Sequence, residues 1–217
     1  PGVQKQLIKT ARMLGKRGIT ATEMLESMIE KPRPTRAEIS DVANAVYDGT
    51  SCIMLSGETA VGRDPVLVIK TMSKIAECAE KDIHYDKRFK NMEFKLDSIQ
   101  NAISHSTCNT AVDLNAKAIV VFTSSGQSAR MVSRFRVSTP IIGVASNEKV
   151  YRKLALSWGV CPVLSLRQND TDSLFRHAID CAKMMDIVAK GDKAVITAGV
   201  PLSVVGTTNI LKVQIVD

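Results

Sequence analysis

The stretch Ile19–Gly62, ITATEMLESMIEKPRPTRAEISDVANAVYDGTSCIMLSGETAVG, reads as strand, loop, helix, strand, loop, with polar residues at the end of each strand. The first strand is short and β-branched and runs out into Thr22 and Glu23. The second, Cys52-Ile53-Met54-Leu55, is continuously apolar and ends at Ser56-Gly57-Glu58-Thr59. An unbroken apolar run is the pattern of a strand buried on both faces, which predicts a parallel sheet. Between them Ile39, Val42, Ala43, Val46 and Tyr47 recur at helical spacing. Thr35 and Glu38 are placed as a capping box, and Gly49 stands where the helix stops. Strand, helix, parallel strand is a βαβ crossover. In an α/β barrel such strands deliver their working residues at the carboxyl end, here Thr22 and Ser56.

The runs ATEMLESM, KPRPTRAE, SDVANAVYDG and CIMLSGETA, in that order, resemble the last two strand units of the pyruvate kinase barrel. The resemblance extends more loosely over the whole chain. It implies the carboxyl-terminal part of a cytoplasmic pyruvate kinase, an enzyme that transfers phosphate from phosphoenolpyruvate to ADP to give pyruvate and ATP. Magnesium, often potassium, and a homotetramer come with it.

Composition sets independent bounds. A chain of 217 residues with 45% hydrophobic and 24% charged content is globular and long enough for one or two domains. The formal charge of +7 permits an anionic partner, but the cations are scattered and aromatics make up only 4%. Nucleic acid is therefore a poor partner, because single-strand binders need stacking platforms and duplex binders a basic stripe. Anionic small molecules fit better. The five cysteines are odd in number, widely spaced and without a CxxC pair, the usage of a reducing compartment with no disulfide framework and no zinc site. No apolar run reaches membrane-spanning length and no charged-then-apolar leader opens the chain, so no membrane association is expected. The chain begins Pro1-Gly2 without an initiator Met, which fits a processed or truncated piece.

Outside the central stretch, Val3, Leu7, Ile8, Ala11 and Leu14 predict a helix ended by Gly15. Asp64-Pro65 caps another, with Val66, Ile69, Met72, Ala76 and Ala79 as its stripe. Two strands among three helices fall short of a closed eight-stranded barrel, which takes roughly 200 residues or more. The mixed-charge segment Glu80–Leu96 reads as a connector or as an extension of the preceding helix. From Ser98, helices and apolar strands alternate. A helix carries Ile99, Ala102, Ile103, Ser106, Thr110, Ala111 and Leu114, and strands are expected near Ala118, Ile141, Val160 and Ala194. The last run, Leu211, Val213 and Ile215 alternating with Lys212 and Gln214, predicts a half-exposed, antiparallel edge strand. The fold expected is α/β: a partial (β/α)8 barrel segment over residues 1–80, a connector over 81–96, and a mostly parallel three-layer α/β domain over 97–217.

Each candidate site residue has two readings. Thr22 and Ser56 either cap their turns through the hydroxyls or act in catalysis. The resemblance implies that Thr22 contacts the phosphoenolpyruvate carboxylate and steadies the developing enolate, and that Ser56 joins a relay that protonates it. A neutral hydroxyl can do both without carrying charge. Glu58 is expected to orient its loop. Glu23 stands where the family usually has glutamine, and Val61 where it often has a lysine that approaches nucleotide. The two-proline loop Lys31–Arg36 is a solvated entry to the helix, or in the resemblance a subunit contact through Arg33 or Arg36.

Thr123-Ser124-Ser125-Gly126-Gln127-Ser128 joins a strand to a helix and is either an N-cap cluster or an anion cradle of hydroxyls and backbone N–H groups. It matches neither a Walker A loop nor a dinucleotide fingerprint. In the resemblance it grips a phosphate of an effector, fructose 1,6-bisphosphate, another sugar phosphate or AMP. Ser124 and Gln127 replace the lysine and arginine of some members. The loop Gly199–Asn209, with Gly206 and Thr207, is the part that closes over the effector in the family. It lacks the aromatic and arginine of some animal enzymes, which weighs against fructose bisphosphate. His84, His105 and His177 show no metal-ligand spacing and read as surface or helix-face residues, Trp158 as a packing residue. No metal site is expected in this chain. The metal ligands, the catalytic lysine and the cation site implied by the resemblance sit on earlier barrel strands, so the chain alone is expected to show no turnover. The competing reading is a non-catalytic module that senses a phosphorylated ligand and assembles subunits.

Overall fold

The computed structural model describes residues 2–202, 204 and 207–217. The chain divides into two compact units, Pro1–His84 and Tyr85–Asp217.

In the first unit, helix α1 (Gly2–Met13) leads to strand β1 (Ile19–Thr20), a single 3₁₀ turn at Glu26–Ile29, helix α2 (Arg36–Asp48) and strand β2 (Cys52–Ile53). Helices α3 (Gly57–Ala60) and α4 (Pro65–Lys81) follow. The two strands pair in parallel, Ile19 with Cys52 and Thr20 with Ile53. The expected caps are present. Thr35 Oγ1 accepts from the Glu38 N–H while a Glu38 carboxylate oxygen accepts from the Thr35 N–H at 2.6 Å. Gly49 ends the helix at φ 85°, a left-handed conformation that glycine adopts without the clash a Cβ makes with the backbone. Asp64 caps the Leu67 N–H at 2.9 Å. Met24, Leu25, Met28, Val42, Ala45, Val68 and Met72 form the core. The apolar stripes expected on α1 and α4 are only partly covered: Ile8 and Met72 are buried, whereas Val3, Leu7, Leu14, Val66 and Ile69 stay exposed because no element of this unit reaches them.

The second unit opens with α5 (Tyr85–Lys90) and α6 (Ile99–Asp113). It continues as β3 (Ala118–Thr123), α7 (Gln127–Ser133), β4 (Ile141–Ala145), α8 (Glu148–Leu154), β5 (Val160–Leu164), α9 (Thr171–Met184), β6 (Lys193–Gly199) and β7 (Thr208–Ile215). The five-stranded sheet runs β5-β4-β3-β6-β7, parallel except for β7, which pairs antiparallel with β6 at the edge. Alternate residues of β3 serve opposite cores. Ile119 and Val121 face a layer with Phe89, Cys108, Ala129 and Phe135, while Ala118 and Val120 face Leu174, Ala178 and Ala182 of α9. That is the three-layer sandwich an unbroken apolar strand predicts. Of the segment 81–96, Phe89 is buried in this unit and Phe94 packs against the same core.

Helix α6 forms where expected but turns a different face inward. Ile99 and Ala102 are exposed, and Ser104, Thr107, Cys108 and Ala111 are buried. Small side chains allow the close approach, and the polar ones spend their protons locally: Thr107 donates to the Ile103 carbonyl at 2.7 Å and the Cys108 thiol to that of Val132 at 3.6 Å.

His105 is half-buried among Phe89, Phe94 and Phe135, with ring centroids 5.1, 6.0 and 5.3 Å away. Burial first, and then the Arg134 charge, hold its pKa below the ordinary 6.5. The unfolded chain therefore binds a proton that the folded ring resists, and stability is lost as pH falls below about 6.5. Against a His105→Phe variant, the wild type should lose more stability between pH 7.5 and 5.5 in urea melts. Parallel pH dependences would contradict this placement.

Candidate functional site

Two places bring the sequence candidates together, one in each unit. In the first, parallel pairing of β1 and β2 sends the loops carrying Thr22 and Ser56 out at the same carboxyl edge. Glu58, at the start of α3, is buried, and its carboxylate accepts the Leu25 N–H at 3.1 Å and the Ser56 N–H at 2.8 Å. One side chain thus ties the loop after β1 to the loop after β2. Burial alone would raise its pKa, but backbone N–H groups of Ser56, Glu58, Leu25 and Met24 outweigh it and hold the carboxylate below its ordinary 4.5. Glu58 is an anion fixed in place and fully engaged as an acceptor, the description of an orienting group and not of a proton carrier.

Thr22 and Glu23 are both exposed and both lie at positive φ, 71° and 52°. Left-handed backbone at a non-glycine residue costs about 1–3 kcal/mol, and β-branched threonine is among the worst suited to it. Two in succession persist only because their surroundings impose them, here the buried Met24 and Leu25 next in the chain and the Glu58 clamp. The Thr22 hydroxyl donates to the Ala21 carbonyl at 2.7 Å. Ser56 is exposed at the mouth of its loop. In the loop Lys31–Arg36 both arginines are exposed, and Glu38 anchors its far end to Ser27 through bonds of 2.7 and 2.6 Å.

The second place follows from the order of the sheet. From β3 the chain moves outward to β4 and β5, then returns to β6 on the other side, so the loops after β3 and β6 diverge and leave a crevice at the carboxyl edge. A pocket lies there. Thr123, Ser124, Ser125 and Ser128 line it from β3, and Ser146 from β4. From β5 come Ser165, Arg167 and Gln168, and from the start of β7 Thr207 and Thr208. Of the expected effector residues, Gly126 and Gln127 do not line it. Gly126, at φ 82°, turns the chain into α7, and the Gln127 amide donates to Gln100. Gly206 lies outside the described residues.

The cradle also works differently from the sequence expectation. The Gly126 N–H is taken by Thr123 Oγ1 at 2.9 Å and the Gln127 N–H by Ser125 Oγ at 3.3 Å. Helix α7 is short, and these amides are spent within the loop. The hydroxyl protons of Thr123 and Ser125 stay available to a ligand, beside the Ser128–Thr208 hydroxyl pair at 2.6 Å. Arg167 is the charged side chain among the described lining residues, and it donates to the Leu202 carbonyl at 2.5 Å. Sequence reasoning missed Ser165, Arg167 and Gln168. The signal was a polar run, SLRQND, straight after a parallel strand.

Comparison with known proteins covers both units. The family model for the pyruvate kinase alpha/beta domain matches residues 101–214, and that for the pyruvate kinase barrel domain matches residues 1–69. The chain belongs to the pyruvate kinase family. A pyruvate kinase of Clostridium acetobutylicum is 50% identical over all of this chain, which spans 46% of that relative. One of Geobacillus stearothermophilus is 48% identical, with 37% of its length spanned. The crystal structure of a pyruvate kinase from Cryptosporidium parvum superposes with a TM-score of 0.91 at 36% identity, over 99% of this chain and 43% of that one. The chain thus spans less than half the length of these relatives. Its first unit is a segment of the pyruvate kinase barrel and its second the alpha/beta domain.

Among the described residues no group of three or more His, Cys, Asp or Glu side chains stands where it could hold a metal ion. No step below is routed through the magnesium and potassium implied by the resemblance. No helix among the described residues is long and apolar enough to cross a membrane. Trp158 packs on Tyr85, with ring centroids 5.0 Å apart, and under Arg136. His177, read as a surface or helix-face residue, lies on α9 half-buried against Ser165 and Cys181.

Proposed function

We propose that this chain is the carboxyl-terminal part of a pyruvate kinase that moves the phosphoryl group of phosphoenolpyruvate to ADP, with Thr22 and Ser56 at its active site and the pocket of the second unit receiving a phosphorylated effector. The observation that carries the first half is the Glu58 clamp. A buried carboxylate holds two loops at one strand edge, one of them in strained left-handed backbone, and sets an exposed hydroxyl on each. Strain kept in place by a buried charge is the mark of a positioned group. In this reading the Thr22 hydroxyl turns its proton from the Ala21 carbonyl to the developing enolate oxygen, and Ser56 acts as one link of a relay, taking a proton from water as it gives its own to the enolate carbon, so that neither residue ends with a changed charge. Phosphoryl transfer itself depends on metal and cationic charge stabilisation, so the 217 residues alone are expected to give no pyruvate. Magnesium, potassium, homotetrameric assembly and a cytoplasmic setting come with this reading.

The test is the mass and activity of the native protein, captured from its source with an antibody raised against this chain. A species much heavier than 23.6 kDa that converts phosphoenolpyruvate and ADP to pyruvate supports the proposal. An inactive species of the chain's own mass would make ligand sensing the primary function instead.

A further inference from the structure

The 3₁₀ turn that follows Thr22 is anchored at alternate residues, each time from a different element. The Leu25 N–H goes to Glu58 of α3 at 3.1 Å. Ser27 gives its N–H and its hydroxyl to Glu38 of α2 at 2.7 and 2.6 Å, and the Ile29 carbonyl accepts the Arg63 N–H at 3.1 Å. Thr22 and Glu23 stand just before this bracket, in left-handed backbone. The Thr22 hydroxyl reaches the carbonyl of Ala21 beside it, a bond that ties it to no other element. Thr22 is therefore placed by its two flanks: Thr20, paired in the sheet, and the anchored turn from Leu25 onward.

Glu38 does more than cap its helix. Its Oε1 takes the Ser27 N–H, while Oε2 takes the Ser27 hydroxyl, the Thr35 N–H at 2.6 Å and the Thr35 hydroxyl at 2.9 Å. A capping box needs only the bonds to Thr35. Those to Ser27 reach back 11 positions to the turn, and helix capping does not call for them. Burial alone would raise the Glu38 pKa, but hydrogen bonds from Ser27 and Thr35 outweigh it and hold the carboxylate below its ordinary 4.5. Glu38 is thus an anion at neutral pH, and its bonds to Ser27 are of the stronger, charge-assisted kind. A lone anchor would fix one point and let the turn pivot about it. Glu58 on Leu25 and Glu38 on Ser27, held by different helices, fix a direction as well. We propose that Glu38 is a positioning residue for the reaction: through Ser27 it sets the angle at which the turn carries Thr22, and so the aim of the Thr22 hydroxyl. The proposal rests on the active-site reading of Thr22 above, and gives Ser27 a share in the same task.

The test uses a chimera that completes this chain with the part of the Clostridium acetobutylicum pyruvate kinase outside the matched span, assayed for pyruvate formation from phosphoenolpyruvate and ADP. Ser27→Ala removes the hydroxyl bond and leaves the cap of α2 whole. It should lower kcat by about tenfold with KM for phosphoenolpyruvate little changed, since a misplacement of about 1 Å can cost about 10²-fold. Thr35→Ala breaks the cap and spares the Ser27 bonds, so it should lower the melting temperature while kcat stays near that of the wild type. Glu38→Gln, with one acceptor oxygen and no charge, should show both losses, and reads the same contact should Ser27→Ala fail to fold. In a Thr22→Val background the effect of Ser27→Ala on kcat should shrink to under about twofold, because a residue that acts through Thr22 then has nothing to position. Hydrogen exchange on the same proteins should show residues 22–25 losing protection in Ser27→Ala while α2 keeps its own. Wild-type kcat in Ser27→Ala, an equal fall in Thr35→Ala, or an undiminished effect in the Thr22→Val background would overturn the inference and leave the active-site reading standing. A chimera without turnover, or one that Thr22→Val leaves fully active, would sink that reading and the inference with it.

Discussion

Replacing Phe135 by alanine is expected to destabilise the second unit by about 3–5 kcal/mol, the range for emptying a fully buried aromatic site. Phe135 has no exposed surface. Its ring meets Phe94 and Phe89 edge-on at 4.6 and 5.8 Å and carries the Arg134 guanidinium at 4.8 Å. Edge-to-face pairs add about 0.5–1.5 kcal/mol each beyond the area they bury. The helices α5, α6 and α7 meet around this ring, so the gap has no single neighbour able to fill it. The one tryptophan of the chain, Trp158, lies in the second unit. Urea unfolding followed by its fluorescence therefore reads this unit alone. A loss under 1 kcal/mol would mean that the aromatic cluster is not the centre of the core.

The second large effect concerns the first unit. Glu58→Ala strips the buried Leu25 N–H and the part-buried Ser56 N–H of their acceptor, and an unsatisfied buried donor costs about 1–3 kcal/mol. Glu58→Gln keeps one acceptor oxygen but not the charge, and should recover part of the loss. The sign with pH is fixed by the depressed carboxylate pKa. The stabilisation is present above the unfolded value of 4.5 and is lost as pH falls through the lower folded value. In Glu58→Ala the Leu25 and Ser56 amides should exchange with solvent much faster, which hydrogen exchange detects peptide by peptide. Unchanged protection at both would show that the two loops are held by something else.

Much of this structure could be read from the sequence because local rules and the fold agree. The capping box at Thr35 and Glu38, the stop at Gly49, the Asp64-Pro65 start and the alternating edge strand all declare themselves within a few residues. The inward face of α6 did not. Its buried stripe is Ser104, Thr107, Cys108 and Ala111, of which hydropathy marked Ala111 alone, because the helix is chosen for closeness to the sheet. The left-handed pair at Thr22 and Glu23 is equally silent, since neither residue favours that conformation and only the tertiary clamp imposes it. The pocket was half legible. The hydroxyl loop after β3 stood out by composition, but its amides are consumed by its own side chains, and the residues that complete the site arrive from β5, some forty positions later. Their proximity is a property of sheet order, which no local pattern announces.

The most direct test of the active-site assignment joins this chain to the portion of the Clostridium acetobutylicum pyruvate kinase that it does not cover. Pyruvate formation from phosphoenolpyruvate and ADP is then measured, alone and with Thr22→Val and Ser56→Ala. The account predicts that the chimera turns over and that Ser56→Ala lowers kcat by about 10²-fold or more, as loss of a positioned proton donor does, with Thr22→Val also impaired. A folded chimera without turnover, or one equally active when both hydroxyls are gone, would contradict it.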